Sequence, residues 1–292
     1  MSAPVDAKTD FTFKVAWKDK NGKGLKELDR IQVTGATVSN KNANGATVKV
    51  SLATGEKEKK ITFTGIPVGA QITITENGKS GWSQVNPPKD SKYLLTISEN
   101  ASENAVTVTN SYSASGPWTP DVTKKLVAGG RTLKDKEFNF VIKDQAGSTV
   151  MTGTNDKNGK VTFVTADGEK RNSISYTEPG TFTYTIEEVK PATEEKGMSY
   201  SDVKYTVTVT VTDPKKDGKL KVTSAYVSNK ESGNKTAAEF VNTYTAEGTW
   251  KPTVSKELTG GASYDSNGFT YSVKDSARKV VSTGLNKENG AI

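Results

Sequence analysis

The stretch Phe240–Leu258, FVNTYTAEGTWKPTVSKEL, has a twin at residues 106–126, VTVTNSYSASGPWTPDVTKKL. Three landmarks recur at one interval of 132 residues: Asn110 and Asn242, Trp118 and Trp250, Lys124 and Lys256. An internal repeat of that length describes domains in series and not a solenoid of small units. Each copy reads as the last strand of one domain, a short linker, then the first strand of the next. Three domains are therefore expected, at 1–113, 114–246 and 247–292. The interval run backwards from Lys124 places the first domain's lysine strand ahead of Met1. The first domain is thus expected to lack its opening strand, the third to hold only opening strands, and 114–246 to be whole.

Composition narrows the fold. The hydrophobic share of 33% is low and the chain is rich in Thr and Val, which suits thin β-sandwiches whose strands bury one face. Cys and His are both absent. That excludes disulfides, thiolate metal sites, thioesters, cysteine nucleophiles and histidine general bases. The net charge of +7, from 40 basic and 33 acidic residues, is spread along the chain with no basic run interleaved with aromatics. It reads as a solvated surface and not as a nucleic-acid site. No apolar run reaches membrane-span length, and Met1-Ser-Ala-Pro4 has no signal-peptide character.

Short alternating runs are separated by turn signals, without helical periodicity, which argues for an all-β sandwich. In the first domain Phe11, Phe13, Val15 and Trp17 alternate with Thr12, Lys14 and Ala16, a half-buried strand. Further strands are expected at Ile31–Val33, Ala46–Leu52, Lys60–Phe63, Gln71–Glu76, Tyr93–Ile97 and Ala105–Tyr112. The second domain offers Val122–Val127, Glu137–Lys143, Val150–Thr154, Lys160–Thr165, Gly180–Glu188, Lys204–Thr212, Ala225–Ser228 and Ala238–Thr245. Asp19-Lys-Asn-Gly22 and Asp156-Lys-Asn-Gly159 share a calcium-loop opening but no bidentate Glu follows, so each reads as a hairpin turn. Trp118 and Trp250, each in Gly-x-Trp-x-Pro at a junction, read as interdomain packing residues before ligand platforms. No cofactor and no metal is expected.

The chemistry lies in strand parity. Val122, Lys124 and Leu126 share one face, and Val254, Lys256 and Leu258 repeat the pattern. Phe182, Tyr184, Ile186 and Glu188 share a face, as do Phe240, Asn242 and Tyr244, which turns a carboxyl and a carboxamide inward with the amine. Glu187 competes with Glu188, and parity turns Glu187 outward. The first domain echoes the pattern with Ile72, Ile74 and Glu76, and with Val106, Val108, Asn110 and Tyr112. Three polar groups on buried positions are costly if they stay separate. The cost makes sense if they react, because burial among aromatics favours a neutral amine and a protonated acid. The acid polarises the carboxamide and moves protons while the amine attacks, releasing ammonia and leaving a Lys–Asn amide. Folding supplies the proximity, so no cofactor is needed. The bland alternative for Lys124 alone is a strand-end lysine that snorkels to solvent.

Pro120-Asp-Val-Thr-Lys-Lys-Leu126, Glu137-Phe-Asn-Phe140, Pro179-Gly-Thr-Phe-Thr-Tyr-Thr-Ile-Glu-Glu188 and Glu239-Phe-Val-Asn-Thr-Tyr244 resemble the isopeptide-linkage domains of Gram-positive pilin shafts. These are relatives of the collagen-adhesin B-type (CnaB) stalk domains. The likeness covers the second domain fully, the first from its second strand (Ile66-Pro-Val-Gly-Ala-Gln-Ile-Thr-Ile-Thr-Glu76), and the opening of the third. It implies tandem immunoglobulin-like sandwiches and an extracellular, cell-wall-anchored location. It further implies Lys124, Glu188 and Asn242 as the bond-forming trio, Glu76 and Asn110 as partners of a missing lysine, and Lys256 as a nucleophile awaiting its own partners. The sequence shows neither a sortase sorting signal nor a Tyr-Pro-Lys pilin motif.

The expected role is a structural stalk or pilus module, cross-linking itself once and turning over no substrate. Its partners would be neighbouring stalk domains, a sortase-linked cell wall or a host-surface ligand. Two alternatives stay open: a ligand-binding adhesin, and covalent assembly between copies through the Lys256 strand.

Overall fold

The computed structural model describes residues 8–88, 92–261, 263, 265 and 268–292. Residues 1–7, with which the first expected domain opens, lie outside them. The chain divides into two compact units, Met1–Tyr244 and Thr245–Ile292.

The first sandwich runs through β1 (Thr9–Lys18), β2 (Gln32–Thr34), β3 (Thr37–Asn42), β4 (Gly45–Leu52), β5 (Thr62–Thr64), β6 (Gln71–Glu76), β7 (Trp82–Asn86), β8 (Tyr93–Thr96) and β9 (Thr109–Tyr112). Five strands form one sheet in the order β3-β4-β1-β6-β8, faced by the pairs β2-β5 and β7-β9. Val15, Trp17, Ile31, Val48 and Ile72 fill the core. The alternation read from Phe11 to Trp17 appears as a central strand, hydrogen-bonded on both sides.

The second sandwich holds β10 (Gly116–Trp118), β11 (Val122–Ala128), β12 (Asn139–Lys143), β13 (Thr149–Asn155), β14 (Val161–Thr165), β15 (Ile174–Tyr176), β16 (Gly180–Val189), β17 (Met198–Ser199), β18 (Lys204–Thr212), β19 (Lys221–Ser228) and β20 (Ala238–Tyr244). Six strands, β14-β13-β12-β16-β18-β19, face the three-stranded sheet β11-β20-β17. Strand β18 shows why these residues form these elements. Tyr205, Val207, Val209 and Val211 are buried, and the threonines between them face out, the period-two pattern of a strand with one wet face.

First and last strands of this sandwich lie side by side and parallel, from Val122 opposite Ala238 to Leu126 opposite Asn242. A parallel pair needs a long crossover, and here the rest of the domain is that crossover.

Three expectations are revised. Ala105–Tyr112 is laddered only over Thr109–Tyr112, because among the described residues β9 pairs with β7 alone. Trp118 is not an interdomain residue: β10 pairs with β15, and the indole stacks on Tyr184 with ring centres 4.9 Å apart, inside the second core. Trp250 is 72% exposed. Both Asp-Lys-Asn-Gly segments are tight turns, closed by Gly22 N–H to Asp19 O and by Gly159 N–H to Asp156 O, each at 3.0 Å. Among the described residues no group of three or more acidic side chains is placed to hold a metal, and no helix is long and apolar enough to cross a membrane.

Residues 113–117, read from sequence as a linker, are bonded on both sides. Ser113 N–H donates to Gly81 O at 2.8 Å, Ser115 N–H to Gly218 O at 3.1 Å, and Leu220 N–H to Ser115 O at 2.9 Å. Tyr112 anchors this joint. Its ring packs on Trp82, which packs edge-on against Phe11, and its hydroxyl donates to Asp213 Oδ2 at 2.6 Å and accepts from Gly218 N–H at 3.2 Å. Gly81 and Gly218, both at positive φ, meet where a side chain has no room: a Cβ on Gly81 would sit 2.6 Å from Gly218 N. The two sandwiches of this unit are therefore held by packing and by hydrogen bonds together.

The second unit is a small repeat of the second sandwich's opening corner. Strands β21 (Thr270–Lys274) and β22 (Val280–Leu285) form a hairpin, and Ser255 bridges to Ala291. Asn286 accepts from Phe269 N–H at 2.7 Å and donates to Asp265 O at 2.9 Å. Asn155 does the same for Phe138 N–H and Lys134 O, at 2.7 and 2.8 Å.

Burial and the Asp213 contact push the Tyr112 hydroxyl up to about 12. The neutral phenol is favoured in the fold, so its contribution is complete below the ordinary tyrosine range, near 10, and is lost as pH rises towards 12. Tyr112→Phe is expected to cost about 1 kcal/mol at neutral pH and to remove the part of the alkaline destabilisation that Tyr112 causes. Thermal unfolding against pH, with tyrosinate absorbance, checks both.

Candidate functional site

Lys124, Glu188 and Asn242 come from three strands of two facing sheets, β11, β16 and β20, and meet in the core. Their side chains share a single buried face because Lys124 lies on the parity of Val122, Asn242 on that of Phe240, and Glu188 on that of Ile186. All three of those apolar neighbours are 0–2% exposed. Leu126 stands opposite Asn242, so Lys124 is the diagonal neighbour of Asn242 across the parallel ladder, a separation that a long side chain spans. The side chains of Lys124 and Glu188 are 0% exposed, and Asn242 is 0% exposed as a residue.

The geometry is a relay. Lys124 Nζ donates to Glu188 Oε2 at 2.6 Å, and Asn242 Nδ2 donates to Glu188 Oε1 at 2.6 Å. One carboxyl group thus touches amine and carboxamide, one through each oxygen. The carboxamide oxygen is held as well: Ser201 N–H donates to Asn242 Oδ1 at 2.7 Å. Phe138 lies under the amine, with Nζ 4.4 Å from its ring centre. Phe140, Phe240 and Tyr205 close the surroundings with ring centres 5.3–5.4 Å apart.

Burial pushes the Lys124 ammonium below the ordinary lysine range, while the Glu188 contact pulls the other way. In a pocket this dry an ion pair is poorly repaid for the water it loses. Moving one proton along the 2.6 Å contact yields an uncharged amine and an uncharged acid. The amine is then a nucleophile, the acid can give its proton to the carboxamide nitrogen, and the Ser201 amide faces the oxygen on which charge would develop. The chemistry these parts can perform is amide exchange with loss of ammonia.

Backbone contacts fix the reach of Lys124. Its N–H donates to Gly159 O at 2.7 Å, and a Cβ on Gly159 would lie 2.2 Å from Lys124 O. Glycine is what lets the β13–β14 turn pack against β11 at Lys124.

The competitor Glu187 faces outward, bonded to Lys143 and, at 2.7 Å, to Lys204. Lys125 also faces out, against Glu239 at 2.6 Å. In the first sandwich the sequence-predicted pair comes together: Asn110 Nδ2 donates to Glu76 Oε1 at 2.8 Å. Burial raises the Glu76 carboxyl above the usual range, opposed by that hydrogen bond. Lys256, in the second unit, lies over Phe269 with Nζ 5.0 Å from the ring centre.

Sequence reasoning missed the Ser201 amide, since a backbone N–H carries no residue signature; only its neighbour β17, paired with β20, places it. It also missed Arg131, whose guanidinium lies 4.8 Å over Tyr244 and pairs with Glu137 and with Glu195, the latter at 2.9 Å.

Comparison with known proteins follows this division. Residues 120–245 match the family described as "Spy0128-like isopeptide containing domain", and residues 2–112 match a domain of unknown function, DUF7601. A comparison with curated proteins returns no match. Among solved structures, the major pilin of Streptococcus pyogenes aligns at 16% identity and a TM-score of 0.20, covering 82% of this chain and 94% of the pilin. Two alanine mutants of that pilin align similarly at 16% identity, with TM-scores of 0.20 and 0.18, covering 82% of this chain and 94% and 92% of theirs. The all-β sandwich that buries the Lys–Glu–Asn trio is thus the part of the chain, residues 120–245, that matches the Spy0128-like isopeptide containing domain.

Proposed function

We propose that the chain is a structural segment of a Gram-positive surface stalk or pilus shaft, clamped by an amide bond between Lys124 and Asn242 that the domain makes for itself. The observation that carries this reading is the single carboxyl group, Glu188, bonded through separate oxygens to amine and carboxamide in a core closed to solvent.

The step balances without a co-reactant. The uncharged Lys124 nitrogen attacks Asn242 Cγ and the Nζ–Cγ bond forms. Glu188, carrying the proton it took from the lysine ammonium, gives that proton to Nδ2 and takes up in its place the one shed by the attacking amine. The Cγ–Nδ2 bond then breaks and ammonia leaves. Ser201 N–H stabilises Oδ1 as the carbon becomes tetrahedral. Glu188 ends as it began, so it is catalytic in kind, but each domain reacts once and the chain is no turnover enzyme.

The product ties the first strand to the last. Because β11 and β20 are parallel neighbours, pulling the domain by its two ends shears this ladder, and a covalent bridge at Lys124 carries the load past the rest of the sandwich. Partners of such a module are the adjoining stalk domains, and its place is outside the cell, joined to the wall.

Digestion of the folded chain is expected to yield one linked peptide containing Lys124 and Asn242. Glu188→Ala is expected to yield the two peptides separately and to lower stability by roughly 4–5 kcal/mol, the loop-closure figure for a span of about 120 residues by analogy with disulfides. Separate peptides from the wild-type chain would end the reading.

In an Asn242→Ala chain Lys124 stays titratable. Its folded-state pKa lies below the unfolded one, so the unfolded state binds more protons between the two values. Stability of that variant should therefore rise with pH through the window just below the ordinary lysine range. The wild-type chain, its lysine consumed as an amide, should lack this rise. Urea unfolding across alkaline pH separates the two.

A further inference from the structure

The first sandwich carries two parts of the same machinery and an unfilled position for the third. Glu76 Oε1 accepts from Asn110 Nδ2 at 2.8 Å, as Glu188 Oε1 does from Asn242. Glu76 Oε2, the counterpart of the oxygen that Lys124 occupies, is buried and has no hydrogen-bond partner among the described residues. An oxygen shut from water and left unpaired is a cost that an incoming donor would relieve.

The backbone beside it is open in the same sense. Among the described residues β9 is laddered to β7 only, on the side where β20 pairs with β17. On the opposite edge, where β20 receives β11, no strand stands among the described residues. Val106 and Val108 are half-buried, whereas the corresponding Ala238 and Phe240 are 0–1% exposed. A strand laid there would cover these valines, satisfy the edge amides and bring a side chain to Oε2.

The chain holds such a strand. Val254, Lys256 and Leu258 repeat Val122, Lys124 and Leu126, in the same local frame. Lys256 N–H donates to Gly290 O at 2.9 Å, and Lys124 N–H to Gly159 O at 2.7 Å. Each amine lies over a phenylalanine, Phe269 or Phe138. Val254 is 43% exposed, whereas its counterpart Val122 is covered by the core.

We infer that the free edge of β9 receives the Val254–Leu258 strand of a second copy of the chain, in parallel, and that Lys256 of that copy becomes joined to Asn110 by an amide bond. Transposed from the β11–β20 ladder, the register sets Lys256 opposite Val108 and Leu258 opposite Asn110. The chemistry rests on the reading proposed for Lys124: Nζ attacks Asn110 Cγ, the Nζ–Cγ bond forms, Cγ–Nδ2 breaks, and Nδ2 leaves as ammonia with its protons passed through Glu76. Among the described residues, one lysine strand beyond the second sandwich and one acceptor edge on the first give head-to-tail polymers.

The test is incubation of the concentrated full chain, followed by a denaturing gel and digestion of each band. The expected result is a ladder of multimers whose bands hold a peptide linking Lys256 to Asn110, abolished by Lys256→Arg and retained in Lys124→Arg. A synthetic peptide spanning 250–260, added to the Lys256→Arg chain, should attach once per chain and fail to attach to Glu76→Ala. A monomer-only gel overturns the inference, and so does a Lys256–Asn110 link found inside the monomer. Peptide attachment without a ladder overturns the second copy as the source. A monomer that still yields the Lys124–Asn242 peptide while forming no ladder refutes this inference alone. Loss of both links refutes the shared chemistry.

Discussion

Everything in the second sandwich serves one constraint: an amine, a carboxyl and a carboxamide must be kept dry and in contact. Any one of them alone would be an expensive thing to bury. Held together, they satisfy one another through the two oxygens of Glu188 and the amide of Ser201. The aromatic shell of Phe138, Phe140, Phe240 and Tyr205 keeps water from competing, and the same burial pushes the Lys124 ammonium below the ordinary lysine range.

Topology sets where that contact lies. Opening and closing strands are parallel neighbours, so Lys124 and Asn242 stand on the two strands by which the chain enters and leaves the sandwich. The joint to the first sandwich is made by packing. Tyr112, Trp82, Asp213 and the Gly81–Gly218 approach lock one sandwich to the next through shape and hydrogen bonds.

Much of this was legible in the residues because period-two alternation is a direct image of a two-faced sheet. The buried parity of Lys124, Glu188 and Asn242 and the outward turn of Glu187 follow from counting alone, and β18 and β6 run over the residues expected of them. What escaped has a physical reason in each case. Residues 105–108 look like strand by composition, but a strand is a relation between two segments, and their partner edge is open. Trp118 looked like a junction residue because Gly and Pro flank it, yet the β10–β15 pairing turns it into the core. Residues 113–117 read as a linker because Ser and Gly signal loops, while their backbone hydrogen bonds to Gly81 and Gly218 depend on distant parts of the chain. The Ser201 donor is a main-chain group and had no letter to be read by.

Whether folding alone fuses Lys124 to Asn242, as proposed, is decided by the intact mass of the purified, denatured wild-type chain. The expected result is a monomer lighter than the sequence mass by one ammonia, and the full sequence mass for Glu188→Ala. A folded wild-type monomer at the full sequence mass would contradict it.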